Sequence, residues 1–278
     1  MSDFLPWTGD DAARHIAIPA AADDKYTRGV LGVITGSDRY PGAAVLGVEA
    51  ALRTGVGMVR YLGGDRASEL VLQRRPEAVL GDGRVQAWLI GSGTEAGVAE
   101  PQTAGWTDAA LAQGLPTILD GGSLERLHDA TGPTVITPHY RELGRVLGVD
   151  PADIASDPGE WALRASRSLG VTVLLKGATT YVSGGDLALS VTGAPTWTAT
   201  AGAGDALGGI LGALVATHSD ADAAELARLA ATAALIHGRA AERASAGGPF
   251  TILDLAAAIP ATITELLRYR LRPGGYAG

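Results

Sequence analysis

The sequence predicts an α/β fold in which a mostly parallel central sheet is flanked by helices on both faces, within a single domain spanning 1–278. Two observations carry this. Short strands that are apolar throughout, and so buried on both faces, alternate with segments whose apolar residues recur at helical spacing. The unusual stretches of the chain then fall at the C-terminal ends of those strands, the edge at which open α/β sheets bind ligands. Composition agrees: 46% hydrophobic and 19% charged residues over 278 positions suffice for a large core and exclude disorder.

In chain order, residues 1–28 read as a polar, irregular N-terminal segment. Gly29-Val30-Leu31-Gly32-Val33-Ile34-Thr35-Gly36 is a buried strand that breaks at Gly36-Ser37. A helix starts near Pro41, with Ala44, Val45, Val48, Ala51 and Leu52 at helical spacing, and Gly55 stops it. A strand over 58–62 and a helix over 66–75 follow. Strands over 86–90, 116–119 and 134–136 break at Gly91-Ser92-Gly93-Thr94, at Asp120-Gly121-Gly122-Ser123 and at Thr137-Pro138-His139. Helices over 123–130, 140–147 and 158–169 lie between these elements and a strand over 171–175, which breaks at Lys176-Gly177-Ala178. Strands over 179–183 and 187–192 form a hairpin around Gly184-Gly185, and helices over 205–217, 222–244 and 251–270 complete the chain.

Composition also narrows the function classes. A net charge of −8 without a basic cluster argues against a nucleic-acid partner. The absence of cysteine removes disulfides and thiol chemistry. No apolar run is long enough to span a bilayer, and the first residues show no basic region followed by an apolar run, so no membrane partner and a cytoplasmic setting are expected. Of 22 cations only Lys25 and Lys176 are lysines, which marks Lys176 as a position where a compact ammonium is wanted.

The remaining stretches serve Thr196–Asp205, a small-residue loop with glycines at 202 and 204 that runs into an apolar helix. Glycine lets backbone N–H groups approach a ligand, and a helix start adds unpaired donors and partial positive charge, so the loop suits a phosphate. Asp205 has two readings here: a base that handles a proton beside the phosphate, or a plain helix cap. Neither a dinucleotide fingerprint nor a Walker A loop is present, so a nucleotide must be held differently. His139 is either a helix-start residue or a ligand contact. Lys176 is either a snorkelling strand-end cation or a phosphate contact. Glu142 is either a surface residue or an organiser of hydrated Mg²⁺. His15, His128, His218 and His237 have no companions at metal-ligand spacing and read as structural or exposed.

Gly36-Ser37 with Gly42-Ala43-Ala44, Thr137-Pro138-His139-x-x-Glu142, Leu175-Lys176-Gly177-Ala178-x-Thr180 and Ala199-Thr200-x-Gly202-x-Gly204-Asp205 together resemble the ADP-dependent NAD(P)H-hydrate dehydratases of the ribokinase-like superfamily. The likeness runs in order from about residue 25 to 270. The chain departs from that pattern at Gly122, where the family has a second carboxylate, at Tyr140-Arg141, and at Ala201 and Ala203. The resemblance implies dehydration of hydrated NADH and NADPH at the expense of ADP, with Mg²⁺, in a homotetramer. It implies Asp205 as catalytic base. Ala43, Gly93, His139 and Asp205 would contact the hydrated dinucleotide. Lys176, Gly177, Ala178, Thr179, Thr180 and Gly204 would hold the adenine nucleotide. Gly202, Ala203 and Gly204 would form the anion hole, and Glu142 would reach Mg²⁺ through water. Two rival functions use the same residues: a kinase of a small alcohol, and a nucleotide-binding sensor without turnover.

Overall fold

Aliphatic runs without a polar face fold as the strands, and the amphipathic segments between them cover both sides. A computed structural model describes residues 4–94, 101–218 and 220–270. In order the elements are β1 (Leu5–Pro6), α1 (Gly9–Arg14), β2 (Val30–Ile34), α2 (Pro41–Thr54), β3 (Met58–Tyr61), α3 (Asp65–Arg74), β4 (Val79–Leu80), β5 (Ala87–Ile90), α4 (Pro101–Leu111) and β6 (Thr117–Leu119). Then come a 3₁₀ segment (Gly121–Asp129), β7 (Thr134–Ile136), α5 (Tyr140–Leu147), α6 (Pro151–Ser156), α7 (Pro158–Leu169), β8 (Thr172–Leu175), β9 (Thr180–Gly184) and β10 (Leu187–Val191). A 3₁₀ turn (Thr196–Thr198), α8 (Ala203–Ala216), α9 (Ala223–Ser245) and α10 (Ile252–Arg270) follow.

The strands form one sheet in the order β1-β10-β9-β8-β7-β6-β5-β2-β3-β4. Among the described strands, β9 alone runs against the rest. One face packs under α2, α3, α8, α9 and α10 around Leu31, Val33, Leu89, Ile210 and Ile236. The other packs under α4, α5, α6 and α7 around Ile34, Ile90, Leu119, Leu143 and Ile154. The expected mostly parallel, doubly covered sheet is therefore present. No helix among the described residues is long and apolar enough to cross a membrane.

Several boundaries differ from the sequence reading, each for a local reason. Residues 1–28 are not wholly irregular: Thr8 and Asp11 close a reciprocal capping box that starts α1. The Trp7 N–H donates to the Ser190 carbonyl at 2.8 Å, which adds β1 to the sheet edge. Two residues are too few to show a period. The expected helix over 123–130 is a 3₁₀ segment. The hairpin turns on Gly185 and Asp186, both with positive φ, one residue later than expected. β4, α4 and α6 carried no signal; both residues of β4 are exposed, so no buried run marks it.

Close packing of α2 on α8 sets the site. A Cβ on Gly209 would lie 2.2 Å from the Gly47 carbonyl oxygen, so the two helices meet backbone to backbone. Further along α2, Glu49 is fully buried and accepts from Arg53 at 2.6 Å, from Arg74 at 3.1 Å and from Arg75. Burial alone would raise its pKa, but the hydrogen bonds from Arg75, Arg74 and Arg53 outweigh it and hold it at about 2. Glu49→Gln leaves three half-buried guanidiniums without their anion and is expected to cost about 2–4 kcal/mol. Chemical denaturation checks this; a stability within about 0.5 kcal/mol of the parent protein, the range of an ordinary surface change, would show the cluster to be indifferent.

Candidate functional site

The strand order places the site. The chain runs outward from β2 to β3 and β4, then returns to β5 on the other side of β2, which makes the β2/β5 boundary a switch point. There the Gly36 N–H donates to the Ser92 carbonyl at 2.7 Å, and Ser37 Oγ donates to the Gly93 carbonyl at 2.8 Å. Gly93 lies so close to Ala43 that a Cβ on it would be 2.3 Å from the Ala43 methyl. The two positions expected to share a ligand are thus brought together.

The anion loop enters α8 through Gly202, whose φ of 93° is the left-handed conformation that glycine tolerates. Asp205 is the third residue of the helix, not its cap, and its carboxylate makes no capping hydrogen bond. The capping reading is therefore overturned. Ala203 N–H reaches the Thr200 carbonyl at 3.4 Å and Ala206 N–H the Gly202 carbonyl at 3.1 Å. Between them, the N–H groups of Gly204 and Asp205 find no acceptor among the described residues. Of the expected Gly202–Gly204 set, Gly202 and Gly204 thus keep N–H groups without an acceptor among the described residues, the Ala203 N–H turns to Thr200, and Asp205 adds a further donor.

Lys176 is brought to the same place from the end of β8. A Cβ on Gly204 would lie 3.5 Å from its Nζ. Nζ donates to Asp120 Oδ1 at 2.9 Å and stands 3.7 Å from Glu142 Oε2. Asp120, 5% exposed at the end of β6, also accepts from Thr137 Oγ1 at 2.8 Å and from Ser92 Oγ at 2.9 Å. Burial pushes the Asp120 carboxyl up, but Lys176 and the two hydroxyls hold it below the usual carboxylate range. Burial pushes the Lys176 ammonium down, and Asp120 with Glu142 more than restores it, so the pair is ionised. Asp205 lacks such donors. Burial, then the charge of Asp120, raise its pKa to about 6 against the opposing pull of Lys176.

Asp120 is the residue that sequence reasoning undervalued. Its place at a strand end on the ligand edge was visible, but its three partners come from three other segments. His139 and Glu142 are tied together: His139 Nδ1 accepts from the Glu142 N–H at 3.1 Å, and Glu142 Oε2 accepts from the His139 N–H at 2.8 Å. His139 therefore caps α5, as its helix-start reading required, while half its side chain remains exposed.

Beside Lys176 and Gly204 opens a cavity of about 420 Å³, lined also by Gly177, Ala178, Thr180 and Leu207. Five of the six residues expected to hold a nucleotide line it; Thr179 does not. His237 lines it too, with its Nε2 3.0 Å from the Ala203 carbonyl oxygen. Burial lowers its pKa to about 4, so the ring is neutral. Among the described residues, no three His, Cys, Asp or Glu side chains gather to hold a metal.

Residues 31–261 match the family model described as NAD(P)H-hydrate dehydratase. The chain belongs to the NAD(P)H-hydrate dehydratase family. It is 41% identical over 233 residues to the bifunctional NAD(P)H-hydrate repair enzyme Nnr of Mycobacterium tuberculosis, covering 78% of this chain and 47% of that protein. The chain thus spans about half the length of the bifunctional relatives it matches. It is 32% identical over 239 residues to the ADP-dependent (S)-NAD(P)H-hydrate dehydratase of Xanthomonas campestris, covering 77% of this chain and 82% of that one. The fold is that of the Bacillus subtilis ADP/ATP-dependent NAD(P)H-hydrate dehydratase co-crystallized with ATP/Mg²⁺, with a TM-score of 0.85, 23% identity, and coverage of 96% and 100%. A ribokinase-like superfamily protein of Enterococcus faecalis has the same fold, with a TM-score of 0.84, 20% identity, and coverage of 96% and 97%.

Proposed function

We propose that this chain, acting as one domain, dehydrates (S)-hydrated NADH and NADPH at the expense of ADP, giving AMP and phosphate. The observation that carries this is Asp205: a partly buried carboxylate without donors, beside two free N–H groups, with its neighbour Gly204 and a strand-end lysine lining a largely apolar cavity. The dehydratase names of the relatives over most of the chain supply the substrate.

The hydrated nicotinamide would rest near Ala43, Gly93 and His139, its ring hydroxyl toward Asp205, and ADP in the cavity. The hydroxyl oxygen attacks the terminal phosphorus of ADP while Asp205 takes its proton, and the bond to the bridging oxygen breaks to release AMP. The N–H groups of Gly204 and Asp205, with Lys176, hold the charge on the transferring phosphoryl group. The carbon–oxygen bond then breaks with phosphate as leaving group, and loss of a proton from the neighbouring ring carbon restores the dihydropyridine. The residues present fit Mg²⁺ only as an ion held by phosphates and water, because Asp120 is buried and already engaged by three donors, and Glu142 offers one unengaged oxygen. Bound so, the ion would neutralise charge on the nucleotide. A cytoplasmic homotetramer is the setting the family resemblance implies.

Hydrated NADH incubated with the protein, Mg²⁺ and ADP or ATP is expected to regain NADH absorbance well above the buffer control. No return with either nucleotide would overturn the dehydratase function. A stable phosphorylated product would favour a kinase instead, and binding without turnover a sensor.

A further inference from the structure

His237 has one hydrogen-bond partner among the described residues, the Ala203 carbonyl at 3.0 Å from Nε2. A carbonyl can only accept, so Nε2 carries the proton. The neutral ring then presents Nδ1 as an acceptor, and no group of the described residues donates to it. The side chain is 8% exposed and lines the 420 Å³ cavity. The cavity wall is more apolar than polar: Ala234 and Gly238 on the same helix, with Val191, Ala194 and Leu207, are joined by the threonines at 192, 196 and 198. An apolar slot of this kind suits a planar base better than a ribose or a phosphate, and Nδ1, reached by solvent rather than sealed in the core, is open to a donor that a ligand carries.

We propose that His237 reads the purine base: Nδ1 accepts a hydrogen bond from the exocyclic amine of adenine and so selects adenine over a 6-oxopurine. This rests on the cavity being the nucleotide site. A 6-oxopurine places a carbonyl oxygen where the amine would be, and two acceptors then face each other in an apolar wall. Such a site rejects the analogue that lacks its donor more strongly than a purely apolar pocket rejects a change of size.

The test is equilibrium binding of ADP, inosine 5′-diphosphate and 2′-deoxy-ADP to the intact protein and to His237→Leu. The parent protein is expected to bind inosine diphosphate on the order of tenfold or more weakly than ADP. In His237→Leu that ratio should fall to about twofold or less, with the ADP to 2′-deoxy-ADP ratio unchanged. Loss of the bond to Ala203 disturbs the anion loop for both bases alike, so a merely structural role leaves the base ratio where it was. Equal affinity of the parent protein for the two bases, survival of the ratio in His237→Leu, or collapse of the deoxyribose ratio instead would each overturn the proposal. Comparison of ADP with inosine diphosphate on the parent protein decides the matter even if the variant does not fold. Failure of all three nucleotides to bind would overturn the nucleotide site itself, an outcome distinct from equal binding.

Discussion

Asp205→Asn is expected to lower turnover on the order of 10²–10⁴-fold, the usual contribution of a general base, while leaving ADP binding nearly intact. Asparagine keeps the size of the side chain, and Asp205 caps nothing, so the start of α8 loses no hydrogen bond. What disappears is the site that accepts the proton. A turnover within about threefold of the parent protein, well short of that general-base range, would exclude Asp205 as the base. Two further signs belong to the same residue. Only its ionised form can accept a proton, so turnover should rise with pH through about 6. Its folded pKa lies above the unfolded value, so the carboxyl's contribution to stability is present at low pH and lost as pH rises through about 6. Asp205→Asn is therefore expected to be more stable than the parent protein at pH 8, by up to about 3 kcal/mol, and to lose that advantage near pH 4. Denaturation at the two pH values measures it; a variant less stable at pH 8 would contradict the burial cost assigned to this carboxylate.

Lys176→Ala should act on both fold and ligand. In the fold it leaves the Asp120 carboxylate buried without its counter-charge, at a cost of about 3 kcal/mol or more. Because Asp120 has its pKa depressed in the folded state, the stability it contributes is present above the ordinary carboxylate range and lost as pH falls. Without Lys176 that sign should reverse, and the variant should recover stability in acid. For the ligand, loss of a charged hydrogen bond to phosphate should weaken ADP about tenfold or more. Adding Asp120→Asn to the variant is expected to restore much of the stability and none of the affinity. Unchanged ADP affinity in Lys176→Ala would show that the ammonium serves Asp120 alone.

The amino-acid sequence by itself determined the alternation of buried strands with amphipathic helices, and hence the parallel sheet and its ligand edge. It also placed Gly36-Ser37, Gly91–Gly93, Asp120, Thr137–His139 and Lys176 on that edge, because each follows directly on a short apolar run. These are local signals, set by side-chain periodicity and backbone freedom within a few residues. What only the tertiary structure decided depends on partners far along the chain. Asp205 looked equally fit to cap a helix until Gly202 took that place and left the carboxylate partly buried, within reach of the charge of Asp120. Lys176 read as a snorkelling strand-end cation or a phosphate contact, and only the fold delivers Asp120 to it, with Ser92 and Thr137 completing the network from the ends of β5 and β7. His237 read as structural or exposed, and only the packing of α9 over the Ala203 carbonyl set its tautomer and brought the side chain to the wall of a cavity. A pattern of period two or 3.6 reports which face is buried, whereas the charge state of a buried group is set by whichever residues the fold delivers to within about 4 Å of it.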